Sequence, residues 1–271
     1  MKDLFNLEGT TAVVTGGCGQ LGQQFCNTLV YYGAKVTAID VVEKPKVASE
    51  EFLTNCDKGK IKIYRANITV KKEIEDIHEK ISSEVGTPGV LINNAAIDSP
   101  PNAPLEENGP FETYPLESLQ NILNVNIVGT FICCQVFGNM MAKNGKGSII
   151  NISSIYGNVS PVQDIYEYKR KNGDDWYKPA PYAITKSAIL NFTRYLATYW
   201  AKKGVRVNTL SPAGIFNNQD EDFLTEYCKR MPLGRMAKQD ELNGAIIFLA
   251  SEASSYMTGS NIIVDGGWTA W

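Results

Sequence analysis

The chain has 271 residues, 44% hydrophobic and 20% charged, with a formal net charge of −3. That length suits one large α/β domain and is short for two, while the charge balance offers no basic field for nucleic acid. The first eight residues carry two acids and no long apolar core, the six cysteines lack a Cys-x-x-Cys spacing, and there is one histidine. These features predict a cytoplasmic protein with reduced thiols, no membrane partner and no metal site.

The first element is an apolar strand at Thr11–Thr15 that breaks into Gly16-Gly-Cys-Gly19 and resumes as a helix from Leu21 to Tyr32, with apolar residues at 21, 25, 29 and 30. Gly16, Gly19 and Gly22 stand three apart, which suits a tight turn, a backbone that approaches a pyrophosphate, and a helix packed closely on its strand. A dinucleotide would lie on the helix N-terminus, so Gly16, Gly19, Gln20, Leu21 and Gly22 are expected around it. Gly33 ends the helix, and Lys35–Asp40 reads as a second strand whose last carboxylate stands where such folds hydrogen-bond the adenosine ribose.

A short helix is expected near 49–55, a third strand over 61–68 that places Asn67 and Ile68 near the adenine, and an amphipathic helix over 71–84 with Ile74, Ile77 and Ile81 on one face. A buried strand over 89–96 breaks into a turn at Asn94 and Ala95. Residues 98–115 hold five prolines and read as a surface loop beside the sheet's ligand-binding edge. A long helix follows over 116–144, then a fifth strand over 146–154, a helix over 180–202, a sixth strand over 205–210, helices near 220–230 and 239–250, and a last strand over 261–265. Alternation at this spacing predicts a Rossmann-type, doubly wound parallel sheet of about seven strands with helices on both faces.

Strand five ends in Ser153-Ser154, and the next long helix begins with Tyr182-Ala-Ile-Thr-Lys186. Positions i and i+4 share a helical face, so Lys186 stands near the Tyr182 phenol, and a neighbouring cation favours the phenolate. That pairing predicts a general acid/base. The spacing recurs at Tyr31 and Lys35, but Gly33 ends the helix between them. His78 among surface charges, and Cys133-Cys134 inside the long helix, read as surface and packing residues.

Over nearly its whole length the chain resembles the short-chain dehydrogenase/reductase family. Asn93-Asn-Ala-Ala96 is similar to the family's Asn-Asn-Ala-Gly segment, with Ala as a departure at its end, and Asn124-Val-Asn126 resembles the segment whose second asparagine holds a water beside the active-site lysine. The resemblance implies that Ser154 polarises the substrate oxygen, that Tyr182 is the acid/base, and that Lys186 lowers its pKa and binds the nicotinamide ribose. Ser211-Pro-Ala-Gly214 resembles the segment along the nicotinamide, which implicates Pro212, Gly214 and Ile215, and Val264-Asp-Gly-Gly267 resembles the family's ending. The stretch 214–219 and the tail are also similar to those of members that modify bacterial surface sugars and flagellin.

Two features depart from that pattern. Gln20 replaces a glycine of the turn, giving the spacing of the branch that acts on nucleotide sugars, and a surplus at 161–179 separates Ser154 from Tyr182. The surplus, with Tyr166, Glu167, Tyr168, Lys169, Arg170, Asp174, Asp175 and Trp176, reads either as a solvated excursion or oligomer contact, or as a cap over a polar, sugar-like or phosphorylated substrate. Trp268 and Trp271 near the chain end suggest an interface or a wall of a neighbouring active site. The expected protein is an oxidoreductase that interconverts a secondary alcohol and a ketone on a polar or sugar-like small molecule, as a homo-oligomer (dimer or tetramer). NAD is expected over NADP because Asp40 would repel a 2′-phosphate. A nucleotide-sugar epimerase or dehydratase, and a non-catalytic cofactor-sensing protein, are the alternatives.

Overall fold

Each parallel strand must return through a crossover, so the alternation of short apolar runs with helices commits the chain to one layered sheet. The computed structural model describes residues 3–98 and 105–271. Its strands are β1 Thr11–Thr15, β2 Lys35–Asp40, β3 Ile61–Arg65, β4 Pro88–Asn93, β5 Gly147–Ile152, β6 Val205–Pro212 and β7 Asn261–Val264. All pair in parallel in the order β3-β2-β1-β4-β5-β6-β7. The order reverses between β1 and β4, which opens a crevice at their C-terminal ends.

The helices are α1 Gln20–Tyr31, α2 Glu50–Asp57, α3 Lys71–Glu84, α4 Leu116–Asn144, α5 Glu167–Lys171, α6 Ala180–Trp200, α7 Glu221–Cys228 and α8 Asn243–Ala250. They cover both faces of the sheet, so neighbouring strand residues enter different cores: Val14, Ile92 and Ile150 pack with Phe25, Leu29 and Ile246, whereas Val13, Leu91 and Ile149 pack with Ile74, Phe137 and Met141. Burial on both sides explains why these strands read as continuous apolar runs rather than alternating ones.

Some boundaries differ from expectation. Strand three stops at Arg65 rather than 68, because its last partner is Asp40 and Asn67 then accepts the Thr69 N–H on its side chain, turning the chain. Strand six continues to Pro212, since Thr209–Pro212 pair with β7. Helix α4 spans its expected length, but its hydrogen bonding widens to π geometry at Asn124–Gly129 and Cys134–Gly138. By length and mean hydropathy of 1.4 it resembles a membrane span, yet half of that stretch is buried inside the fold. Residues 161–179 are not a plain solvated loop. They form a tight turn over Gln163–Tyr166 followed by α5, and Ile165 and Tyr166 are buried. Part of the proline-rich loop, 99–104, lies outside the described residues.

Candidate active site

The crevice is floored by the glycine turn. Gly16 has φ +62°, and a Cβ there would stand 2.8 Å from Ala95 Cα; one on Gly22 would run into the Gly16 carbonyl. The turn therefore leaves a close backbone cradle at the start of α1, where a pyrophosphate fits. Asn94 braces it from β4, its Nδ2 donating to the Thr15 and Gly16 carbonyls at 3.1 Å each, while Thr15 Oγ1 accepts from the Asn94 and Ala95 amides.

The other predicted dinucleotide contacts line the same edge. Asp40 Oδ2 accepts the Cys18 N–H at 3.0 Å, which sets the carboxylate over the turn. Asn67 follows β3, whereas the Ile68 side chain is buried against α4, where a Cβ on Gly129 would meet it. Gln20 reaches across the crevice and donates to the Phe216 carbonyl at 2.9 Å, and Leu21 packs beneath against the core. Pro212 ends β6, and Gly214 donates its N–H to the Tyr227 hydroxyl at 2.8 Å. Ile215 bridges to Ala237.

Helix α6 is docked onto the end of β5 by three contacts. Ser153 Oγ donates to the Lys186 carbonyl at 2.7 Å, Ser187 Oγ donates to the Gly157 carbonyl at 3.0 Å, and a Cβ on Gly157 would meet the Lys186 carbonyl. This close crossing brings Tyr182 to Ser154, whose hydroxyl favours the phenolate. Ser154 Oγ also accepts the Tyr156 N–H. Lys186 is buried, donates to the Ile152 carbonyl at 2.9 Å, and has its ammonium 5.5 Å from the Tyr182 ring centroid. Asn126, at the first π segment of α4, exchanges hydrogen bonds with the Ile97 backbone and donates to Thr185 Oγ1 at 3.1 Å. It thus holds the residue next to Lys186.

The electrostatics differ from expectation in one respect. Burial, and then the charge of Asp98, push the Tyr182 phenol up from its ordinary range, and the Ser154 hydroxyl only partly opposes them. Lys186 points its ammonium at a carbonyl instead, and burial brings its own pKa down to about 8, with Asp98 opposing.

The family model described as Enoyl-(Acyl carrier protein) reductase matches residues 20–269. A short-chain dehydrogenase from Leptospira borgpetersenii, solved with bound NAD+, is 34% identical with a TM-score of 0.85, covering 99% of this chain and 96% of that one. The chain belongs to the short-chain dehydrogenase/reductase family. The sorbose reductase of Candida albicans is 31% identical over 98% of this chain and 89% of its own length. A gluconate 5-dehydrogenase from Burkholderia cenocepacia, solved with NADP and tartrate, is 28% identical with a TM-score of 0.83, covering 99% of this chain and 98% of that one. This short-chain dehydrogenase/reductase is an NAD(P)-dependent oxidoreductase that interconverts a secondary alcohol and a ketone.

In this short-chain dehydrogenase/reductase the surplus between the serine and the tyrosine walls the site. Tyr166 packs on Trp176 with ring centroids 4.2 Å apart and on Phe223 of α7, which continues through Tyr227 to Trp268. Trp268 is therefore buried in its own chain, contrary to an interface role, because Tyr227 stacks on it at 4.6 Å; Trp271 is exposed. The six cysteines are free, and Cys133 and Cys134 are buried in packing as expected. Sequence reasoning missed Asp98 and Lys178, which pair beside Tyr182, and Tyr227, which holds Gly214. Their only signals were position: Asp98 follows the exit of β4, and Lys178 stands two residues before the start of α6.

Proposed function

We propose that this enzyme oxidises a polyol to a ketose, or reduces the ketose, with NAD preferred. The carrying observation is the hydroxyl pair of Ser154 and Tyr182, with Lys186 beside it, at the edge where the glycine cradle opens. The cradle at Gly16, Gly19 and Gly22, the Asp40 carboxylate and the Pro212–Ile215 segment would hold a nicotinamide dinucleotide, which supplies or accepts the hydride. In the reductive direction Ser154 and Tyr182 donate hydrogen bonds to the substrate carbonyl, and Tyr182 gives its proton to the oxygen as negative charge develops there. Lys186 stabilises the phenolate left behind, and Asn126 positions Lys186 through Thr185. The Ser154, Tyr182 and Lys186 set also argues against a non-catalytic role.

The sugar-like substrate rests on the named relatives and on the phenols of Tyr156 and Tyr166, which belong to the wall packed around Tyr182. Assay of polyols, ketoses and simple alcohols with NAD+ or NADH, followed by cofactor absorbance, tests this reading. Turnover of polyols or ketoses is expected to exceed that of simple secondary alcohols, and the reverse order would exclude it. A homo-oligomer belongs to the same reading. Val128, Phe131, Ile184, Tyr195 and Tyr199 expose apolar and aromatic surface on α4 and α6, the chemistry of a second copy's matching face. Sedimentation is expected to give a multiple of 29.9 kDa, and a monomer at micromolar concentration would refute it. A cytoplasmic location belongs to the same reading, and the six free cysteines support it.

A further inference from the structure

Lys178 closes the surplus segment and is not a wandering surface lysine. Its backbone is locked to one side chain: its N–H donates to Gln163 Oε1 at 2.9 Å, and its carbonyl accepts from Gln163 Nε2 at 3.0 Å. Only 11% of its side chain is exposed, and its ammonium lies 5.2 Å from the centroid of the Tyr182 ring. At that place it forms an ion pair with Asp98, which enters from the exit of β4. The acid/base tyrosine therefore has a matched cation and anion at its side.

The other cations of the segment are engaged elsewhere. Arg170 donates to the Trp176 and Gln163 carbonyls and stacks on Tyr177, Lys169 lies over Trp176, and Lys171 pairs with Glu167. Residues 99–104 contain no charged side chain. An anionic substrate group reaching for Lys178 would meet the Asp98 carboxylate at the same spot, and like charges in a partly desolvated site repel. A hydroxyl meets no such penalty, because the ammonium donates to it and the carboxylate accepts from it.

Resting on the reading of a sugar-like substrate, we infer that the Asp98–Lys178 pair makes this site select uncharged polyols and ketoses over sugar acids and sugar phosphates. Asp98→Asn removes the opposing charge and leaves the Lys178 cation; Asp98→Glu retains it.

The test compares kcat/KM for sorbitol and arabinitol against gluconate, and calorimetric binding of tartrate to the NADH-loaded protein. The wild-type enzyme is expected to favour the neutral polyols by at least about tenfold. Asp98→Asn is expected to shift that ratio about tenfold toward gluconate and to tighten tartrate binding by a similar factor, while Asp98→Glu, which retains the charge, keeps the preference for neutral polyols and the weak tartrate binding. The pH profile gives a readout that a merely structural role would not move. Tyr182 is faced by Lys186 on its own helix, Lys178 and Asp98 at the mouth, Tyr227 on α7 and Ser154 and Tyr156 after β5, so losing the Asp98 charge moves its titration to lower pH. A wild-type preference for gluconate, or equal tartrate affinity in wild type and Asp98→Asn, overturns the inference. If neither polyols nor gluconate are turned over, the substrate reading falls, and the tartrate comparison still decides this one.

Discussion

Tyr182→Phe is expected to keep the fold and the affinity for NADH and to lose about 10²–10⁴-fold in kcat, the range that positioned proton transfer contributes. The ring remains in the aromatic cluster with Tyr156, Tyr227 and Trp268, so the packing that docks α6 survives. What disappears is one hydroxyl beside Ser154, whose Oγ still accepts the Tyr156 N–H. A lost proton donor affects the chemical step and not dinucleotide binding, because the cradle residues lie on β1, α1 and β4. NADH fluorescence titration together with steady-state turnover checks both halves. Near-normal turnover in the variant would sink the assignment of Tyr182, and a loss of NADH binding in step with turnover would point to damaged packing.

The sheet was legible because two-sided burial writes long apolar runs, and because helices must separate parallel strands. Ser154, Tyr182 and Lys186 were legible because a strand end and a helical i, i+4 spacing fix where they stand. Asp98 and Lys178 were not. They are 80 residues apart and meet only because the exit of β4 and the start of α6 converge over one crevice, which no local pattern encodes. The buried state of Trp268 was hidden for the same reason, since its partner Tyr227 lies on a different helix. The upward shift of Tyr182 also escaped a pairwise argument. Lys186 suggested a lowered phenol, but burial and the Asp98 charge raise it, and the group that opposes them is Ser154 rather than Lys186.

NADH is expected to bind at least about tenfold more tightly than NADPH, and the reason lies at the end of β2. The fold accommodates both dinucleotides, since the Leptospira neighbour holds NAD+ and the Burkholderia neighbour NADP, so discrimination is local. Asp40 is anchored over the glycine turn by the Cys18 N–H, and its carboxylate would there accept from adenosine ribose hydroxyls. A 2′-phosphate there would face that carboxylate. Two unit charges about 4 Å apart at an effective dielectric near 20 interact by about 4 kcal/mol, and solvent and salt reduce this to a smaller but still decisive penalty. The cation placed to relieve it is Arg65, opposite Asp40 in the β2–β3 register, but its Nε donates to the Val41 carbonyl at 3.2 Å and its guanidinium lies 3.9 Å from Glu43. Lys44 and Lys46 are exposed on the loop after β2, which returns to α1 where the Val47 carbonyl accepts from Gln23 Nε2 at 2.8 Å. Titration of the purified protein with both reduced cofactors checks the preference, and tighter NADPH binding would show that Arg65 turns from Glu43 to the phosphate. In Asp40→Ala the preference is expected to shrink, mainly through weaker NADH binding, because the ribose loses its acceptor and the Cys18 amide loses its partner.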